Sequence, residues 1–246
     1  FLLQILDSFS TINNYNFIKS MHITSQAKKK ICQNPDNEYE ISDILKSEII
    51  QYYISCIKND NWEKFTGNNN GFGATTHVSV LDSDENAISI TTTNGEGCGY
   101  IIPETGIMMN NMLGEQDLNP LGFHNWKKSR RLATMISPTI VLKNNRPFLV
   151  LGSGGSNRLR TAISQVLINI INKGLNLKDA IETPRIHLES NKLYIEPEIE
   201  IDINKLSSKI LVNSFNNKNL FFGGVNAVMN NSAHADSRRD GYSLIE

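Results

Sequence analysis

One threonine lies where a breaker-rich loop enters a strand, and its hydroxyl could act as a nucleophile there. Thr75 follows the run from Asn59 to Ala74 and opens a β-rich run, His77 to Leu81. A threonine hydroxyl is a poor nucleophile unless a base lies beside it, and the amine of an N-terminal threonine can be that base. An α-amino group has a pKa of roughly 7.7–8.0, so a useful fraction of it is neutral near pH 7. This chemistry requires the chain to be cut before Thr75.

A glycine-rich turn after an apolar run could bind an anion. Residues Gly152 to Ser156 read Gly-Ser-Gly-Gly-Ser and come just before a predicted helix. Main-chain N–H groups at a helix N-terminus favour an anion or a developing oxyanion. The spacing matches neither the dinucleotide-binding fingerprint nor a P-loop. Taken alone, the motif is also typical of a tight structural turn.

Other polar clusters predict no metal site. Residues Asp82 to Asn86 resemble the start of a calcium loop, but Ala87 stands where glycine is needed and Thr93 where glutamate is needed. A hairpin turn is therefore predicted there. The charged cluster from Asp236 to Asp240, taken alone, is typical of a solvated loop. We expect no metal and no cofactor, because the histidines lack ligand spacing and are expected to be surface or satisfied polar residues: His124, His187 and His234.

Composition excludes several classes of protein. The 246 residues carry 24 basic and 25 acidic side chains and a formal net charge of −1, which argues against a nucleic acid or an anionic membrane as partner. No apolar run is long enough to predict a membrane span. Cys32, Cys56 and Cys98 form neither a zinc motif nor a disulfide framework, although one disulfide stays open. The chain opens at Phe1 inside an apolar helical pattern, so we expect its true start and any targeting signal to lie upstream.

Hydrophobic periodicity predicts helices first and strands afterwards. Residues 1–58 are predicted to be helical, with Ser42 as the N-cap of a second amphipathic stretch, Ile44 to Ile57. Consecutive hairpins with a few helices favour an α+β fold with a largely antiparallel sheet. The predicted elements are hairpins 77–81/87–93, 139–142/148–151 and 186–188/192–195, helices near 157–172 and 203–209, and strands near 220–229 and 242–245.

Several motifs in fixed order resemble one known family. Residues 75–80, Thr-Thr-His-Val-Ser-Val, resemble the start of the small subunit of the gamma-glutamyltransferases, also called gamma-glutamyltranspeptidases or glutathione hydrolases. These are N-terminal-nucleophile hydrolases made as self-cleaving precursors. The resemblance implies a four-layer α-β-β-α sandwich, with residues 1–74 as the end of the large subunit and 75–246 as the small, catalytic subunit. Matching segments are 87–97, 106–115, 137–139, 152–156, 180–187 and 236–239.

The resemblance also implies catalytic roles. Thr75 would first attack the Ala74–Thr75 peptide bond. With its freed amine it would then attack a γ-glutamyl amide such as glutathione, and water or an amino-acid or peptide acceptor would release the acyl group. Thr93 would hydrogen-bond the nucleophile. Gly154 and Gly155 would form the oxyanion hole. Cleavage of the precursor would leave a heterodimer of large and small subunits as the active enzyme.

Substrate recognition is implied for a second group of residues. Glu115 matches the acid that binds the substrate α-ammonium group, and Asn94 matches an asparagine of the same pocket, where this chain is slightly shorter than its relatives. Thr134 and Met135 align with a serine pair that holds the α-carboxylate. Met112 stands where the family usually has Glu or Gln. The arginine that pairs with that carboxylate would belong to the large subunit, outside this chain.

Two other functions stay open. The same nucleophile could act on another amide, such as a cephalosporin side chain or poly-γ-glutamate, because Thr134-Met135 and Met112 depart from the residues that the family usually has at these positions. A non-catalytic relative could be kept as a subunit or interaction protein. The family resemblance suggests a periplasmic or secreted enzyme, but no signal is visible in this chain, so the compartment stays open.

Overall fold

The chain forms two compact units, each built from segments that are distant in sequence. The first unit comprises Phe1–Asn69, Pro120–Gly122 and Ile186–Asn216, and the second comprises the remaining segments, Asn70–Asn119, Phe123–Arg185 and Asn217–Glu246. The computed structural model describes residues 1–32, 41–59, 74–115, 118–119, 122–125, 134–206 and 208–246.

The first unit packs helices and a small sheet. The elements are α1 (Leu2–Asp7), α2 (Asn14–Cys32), α3 (Ser47–Lys58), β5 (Ile186–Glu189), β6 (Lys192–Ile195) and β7 (Leu211–Ser214). Helices α1, α2 and α3 share a core of buried apolar side chains, among them Ile5, Ile23 and Ile57. Helix α2 also packs on β5, where the Leu188 main-chain N–H lies 3.4 Å from Met21 Sδ. Strands β5 and β6 pair antiparallel, and β6 and β7 pair parallel.

The predicted cap of α3 is wrong. Ser42 lies within a 3₁₀ turn, Ile41–Leu45, that precedes the helix. The helix begins at Ser47, with Lys46 as an N-cap whose side chain makes no capping bond. The apolar periodicity of the segment begins before its α-helical hydrogen bonds do, and this is why the sequence places the helix start too early.

Within its described residues, the second unit contains six strands in two sheets. The strands are β1 (Thr75–Leu81), β2 (Ala87–Thr93), β3 (Thr139–Lys143), β4 (Arg146–Gly154), β8 (Gly224–Met229) and β9 (Ser232–Ala235). Strands β1 and β2 form a hairpin, and the other four form an antiparallel sheet in the order β3-β4-β8-β9. The Asp82 carboxylate accepts the N–H groups of Asp84 (2.9 Å) and Asn86 (2.8 Å), which confirms the predicted hairpin turn. Asn144 and Asn145 both have left-handed φ, 53° and 62°, as a tight two-residue hairpin turn requires.

Helices and the β1-β2 hairpin cover opposite faces of the four-stranded sheet, so this unit has successive helix, sheet and sheet layers. Helix α4 (Leu159–Ile171), predicted from sequence, packs with α5 (Leu177–Glu182) on one face. That layer is apolar, and its core includes Leu151, Val166 and Val225. The hairpin contacts the other face through β4 and β8.

Hydrogen bonds of polar side chains cross the layer between the two sheets. Ser89 Oγ donates to the main-chain oxygen of Leu151 (3.1 Å) and accepts the N–H of Thr139 (3.0 Å). Val78 and Val80 of β1, which point the other way, are 53% and 44% exposed. Directional hydrogen bonds therefore help hold the hairpin on the four-stranded sheet, and register between the sheets depends on particular side chains.

Two predicted elements near the end of the chain are wrong, and a third, the strand near 220–229, begins later than predicted. Residues 242–245 form no strand, and the last strand is β9, paired antiparallel with β8. Residues Leu220–Phe222 form a 3₁₀ turn that ends at Gly223 (φ 80°), so β8 begins only at Gly224. The predicted helix near 203–209 is a single 3₁₀ turn, Ile203–Lys205.

The predicted fold class is confirmed. Helices are combined with sheets that are antiparallel throughout the described ranges, apart from the β6–β7 pair. Among the helices in those ranges, none has the length and apolar character needed to cross a bilayer.

Candidate active site

Thr75 and Thr93 face each other at the open end of the β1-β2 hairpin. They are direct partners in the strand register, and Thr75 Oγ1 donates to Thr93 Oγ1 over 3.0 Å. Thr93 Oγ1 also accepts the Gly95 N–H (3.0 Å) and donates to the main-chain oxygen of Ala74 (3.4 Å). A chain of hydroxyl groups therefore runs from Thr75 through Thr93 to the carbonyl that precedes Thr75.

The Ala74–Thr75 peptide bond is held by continued hairpin pairing. The Ala74 N–H donates to the Gly95 oxygen (2.6 Å), and the Asn94 N–H donates to the Ala74 oxygen (3.1 Å). The Ala74 oxygen thus has two donors, the Asn94 N–H and the Thr93 hydroxyl. Donors fixed in this way stabilise negative charge on a carbonyl oxygen when its carbon is attacked.

Gly154 lies against the main chain of Thr75 and Gly155 against that of Gly223, and neither position has room for a side chain. A Cβ at Gly154 would lie 2.5 Å from the Thr75 oxygen. Gly155 has φ 131°, which disfavours any side chain, and a Cβ there would lie 2.7 Å from Gly223 Cα. The end of β4 and the start of β1 therefore approach each other with only main chain between them.

One small cavity joins Thr75 and Thr93 to most of the residues predicted to bind substrate. Its volume of about 20 Å³ is of the order of one water molecule, so a glutamyl-sized group would require it to widen. Asn94 is absent from its lining and contributes main-chain hydrogen bonds nearby. The lining residues are Thr75, Thr93, Met112, Glu115, Leu118, Thr134, Met135, Ile136, Ser156 and Leu159.

Glu115 forms an acidic wall beside the threonine pair. Its Oε1 would lie 2.8 Å from a Cβ on Gly95, and Asn111 Oδ1 would lie 2.7 Å from the same point. The Asn111 N–H donates to the Asn94 oxygen (3.0 Å), which ties this wall to the end of β2. Asn119 Nδ2 donates to the Glu115 main-chain oxygen (2.6 Å). A carboxylate fixed at this position suits an ammonium group on a ligand.

Thr134 and Met135 give the lining of the cavity one hydroxyl and one thioether. Thr134 Oγ1 accepts the Ile136 N–H over 3.2 Å. A thioether is a weak hydrogen-bond acceptor and no donor, so Met135 cannot reproduce a serine beside a carboxylate. Sequence reasoning did not assign Ser156, although it directly follows the predicted glycine pair and has a left-handed φ of 50°.

Arg239 also lies beside the glycine pair, and sequence reasoning gave it no role. Its Nη1 would lie 3.6 Å from a Cβ at Gly154, and its Nη2 the same distance from one at Gly155. Burial, with a smaller contribution from Arg158, lowers the pKa of Arg239, although Asp236 opposes the shift. The feature of the sequence that could have indicated Arg239 is its position within the charged cluster that follows β9.

The cluster around Asp236 is not a solvated loop, so that expectation is wrong. Asp236 is 0% exposed. Its Oδ2 accepts Arg185 Nη2 (2.6 Å) and the Val225 N–H (2.9 Å), and its Oδ1 accepts the N–H (3.0 Å) and Nη1 (3.1 Å) of Arg238. Burial raises the pKa of Asp236, but Arg185 and then Arg238 outweigh it, so the net shift is downward. These partners compensate the buried charge.

A second polar network ties this cluster to the end of α5. The Glu182 carboxylate accepts Ser237 Oγ (2.6 Å) and Lys218 Nζ (3.0 Å) and contacts His234 Nε2 (2.9 Å). Burial raises the pKa of Glu182, but hydrogen bonds from Ser237, His234 and Lys218 hold it well below its usual value. His234 is therefore a satisfied polar residue, as predicted.

Comparisons with known proteins agree on one family. The family model described as gamma-glutamyltranspeptidase matches residues 1–245. The glutathione hydrolase proenzyme of Bacillus subtilis (strain 168) is 35% identical over 124 residues, covering 50% of this chain and 21% of that protein. The capsule biosynthesis protein CapD proenzyme of Bacillus anthracis is 30% identical over 196 residues, covering 77% of this chain and 36% of that protein. This chain therefore spans much less than half the length of these relatives.

A solved structure gives the same result for the fold. A mutant of Helicobacter pylori gamma-glutamyltranspeptidase matches with a TM-score of 0.56 and 30% identity, over 66% of this chain and 99% of that chain. This likeness agrees with the predicted N-terminal-nucleophile hydrolase type of α+β fold.

Proposed function

This chain belongs to the gamma-glutamyltranspeptidase family, and we propose that it carries the nucleophile of a self-cleaving enzyme that hydrolyses or transfers γ-glutamyl groups. The substrates would be glutathione and related γ-glutamyl amides. The observation that carries the proposal is the hydroxyl chain from Thr75 through Thr93 to the Ala74 carbonyl.

Self-cleavage would be the first reaction. The Thr75 hydroxyl attacks the Ala74 carbonyl carbon, and the negative charge forms on the oxygen that the Asn94 N–H and the Thr93 hydroxyl contact. The peptide C–N bond breaks, an ester forms at Thr75 Oγ1, and the hydroxyl proton ends on the Thr75 nitrogen. Water then hydrolyses the ester and leaves a carboxylate on Ala74 and a free amine and hydroxyl on Thr75.

Turnover would use the same oxygen a second time. The Thr75 amine accepts the hydroxyl proton while Oγ1 attacks the γ-carbonyl carbon of the substrate, and that proton passes to the departing amine. Gly154 and Gly155 would supply main-chain donors for the oxyanion. Glu115 would receive the substrate ammonium group and Thr134 its carboxylate. Water, or the amine of an amino acid or peptide, then releases the acyl group from Thr75.

The products of the cut would stay together as a heterodimer. The first unit contains chain from both sides of Thr75, namely the three helices and strands β5 to β7. Met21 of α2 and Leu188 of β5 are 1% and 2% exposed and pack within this unit. A cut before Thr75 breaks none of these contacts, so the two products are expected to remain bound.

Thr93→Val is expected to slow self-cleavage by roughly 10²–10³, the usual cost of removing one donor to a developing oxyanion. Turnover should also be slower, because Thr75 Oγ1 loses the hydroxyl group that it contacts. The substitution keeps the shape of the side chain and removes the hydroxyl that contacts Thr75 and Ala74. Loss of the precursor is followed on gels, and turnover is followed with a γ-glutamyl anilide. Thr92→Val, on the exposed outer face of the same strand, is the matched control. Wild-type rates in the Thr93 variant would contradict its proposed role.

Substrate class is tested by comparing a γ-glutamyl anilide with a glutaryl anilide, which lacks the α-amino group. We expect Glu115→Gln to raise KM for the γ-glutamyl compound by about 10–100-fold, because a charge-assisted hydrogen bond contributes about 1.5–3 kcal/mol. The glutaryl compound should be insensitive to this change. Equal sensitivity of the two compounds would show that Glu115 does not bind the ammonium group.

A second candidate function keeps the nucleophile and changes the acyl group. Met112 and Met135 both line the cavity, and their thioethers favour a less polar acyl chain than a glutamyl carboxylate. CapD, a relative that covers more of this chain than the glutathione hydrolase does, is named for capsule biosynthesis. Faster release from the glutaryl than from the γ-glutamyl anilide would favour this acylase function.

A further inference from the structure

His77 lies between the two stacked sheets, on the same face of β1 as Thr75. Its side chain is 3% exposed, and both ring nitrogens have polar contacts. Nδ1 lies 2.7 Å from Thr91 Oγ1 on β2, and Nε2 lies 2.8 Å from Ser79 Oγ on β1. The imidazole is thus fixed by two hydroxyl groups from the two strands of the hairpin.

The surrounding hydrogen bonds select one tautomer of His77. Ser79 Oγ donates its only proton to the Asn226 main-chain oxygen (3.2 Å), so it accepts from Nε2–H. Nδ1 then accepts the Thr91 hydroxyl proton. Burial lowers the pKa of His77 to about 4, so the ring is neutral near pH 7 and has one donor and one acceptor.

Gly152 forms a notch under the His77 ring. A Cβ at Gly152 would lie 2.3 Å from Cε1 and 2.4 Å from Nδ1 of the ring. Gly152 precedes Gly154 by two residues on β4, just as His77 follows Thr75 by two residues on β1. The contact of His77 with Gly152 and that of Thr75 with Gly154 are therefore successive contacts between the same two strands.

β8 also contacts this part of β1. Asn226 Nδ2 donates to the main-chain oxygen of His77 over 3.0 Å. The side chains that hydrogen-bond the ring and the glycine beneath it carry no charge. Hydrogen bonds and the close contact of the His77 ring with Gly152, without ion pairs, therefore set the distance and the register between β1 and β4 at this point.

We propose that His77, held as the Nε2–H tautomer in the Gly152 notch, is a positioning residue that keeps Thr75 in place beside Gly154 and Gly155. The inference rests on the proposed function of Thr75. Displacing a reacting group by about 1 Å can cost on the order of 10²-fold in rate.

The test uses the complete protein that contains this chain, as wild type and as Thr91→Val, with Thr92→Val as the matched control. Thr91→Val keeps the β-branched shape and removes the hydroxyl that donates to Nδ1. Three quantities are measured: the ¹⁵N NMR shifts of the His77 ring nitrogens, the rate of self-cleavage, and kcat and KM for a γ-glutamyl anilide.

We expect the wild type and Thr92→Val to show the Nε2–H tautomer with the same rates. Thr91→Val should show mixed tautomers, slower cleavage and a kcat about 10–100-fold lower, with KM within about threefold. His77→Phe, which fills the notch without hydrogen bonds, should also fold and lose kcat.

Two results would overturn the inference: an Nδ1–H tautomer in the wild type, or wild-type kcat in folded Thr91→Val and His77→Phe. In an active wild type, unaffected Thr91→Val and His77→Phe variants remove the positioning role alone. A wild type that neither cuts nor turns over removes the proposed function, and with it the role given to His77.

Discussion

Thr75→Ala is expected to leave the chain uncut before residue 75 and to abolish amide turnover. The substitution removes the only oxygen that attacks in both proposed reactions, and loss of a catalytic nucleophile costs on the order of 10⁶ in rate. Cleavage is measured by intact mass, and turnover with a γ-glutamyl anilide.

Two variants make the Thr75 result specific. Thr75→Ser keeps a hydroxyl and should still cut and turn over more slowly than wild type. Thr76→Ala changes the next residue, whose side chain is exposed on the other face of β1, and should behave as wild type. A Thr75→Ala protein that stays intact and still cleaves amides would refute the nucleophile.

Asp236→Asn is expected to lower the free energy of unfolding by about 3–5 kcal/mol, which is typical of removing one partner from a buried ion pair. Asparagine keeps the volume of the side chain but leaves the buried Arg185 and Arg238 guanidinium groups uncompensated. Because the Val225 N–H also loses a charged acceptor, the start of β8 beside the glycines should loosen. Urea unfolding at pH 7 measures the change.

The effect of Asp236 should depend on pH in a defined direction. Its pKa is lower in the folded protein than in the unfolded chain, so its stabilisation is present above about pH 4, near the unfolded pKa, and is lost as pH falls through the folded pKa. The difference in the free energy of unfolding between wild type and Asp236→Asn should therefore shrink as the pH falls below about 4. Asp240→Asn, at an exposed position, is the control. An equal loss of stability in both variants would contradict the role of the buried pair.

The hairpins could be predicted from sequence because their signals are local. Alternating β-rich runs flank Asp82–Asn86, and this turn fixes the register that places Thr75 opposite Thr93. Asn144 and Asn145 have the residue type that a left-handed two-residue turn needs. The pairing of Thr75 with Thr93 therefore follows from short-range pattern.

The errors come from contacts that are distant in sequence. Tyr242 to Ile245 have strand-like composition but no ladder partner in the described ranges, and Tyr242 is 84% exposed. Residues Ser232–Ala235 have weak β propensity and become β9 because they pair with β8. Asp236 is buried because Arg185, 51 residues earlier, reaches its carboxylate. The Gly152 notch likewise needs the stacked sheets, since nothing near Gly152 in sequence indicates His77.

The most direct test is the N-terminal sequence and intact mass of the complete wild-type protein after purification. A product that begins at Thr75, still bound to the chain that ends at Ala74, is the expected result. A protein that remains a single chain across residues 74 and 75 and yet turns over amides would contradict it, because Thr75 would then have no free amine to act as the base.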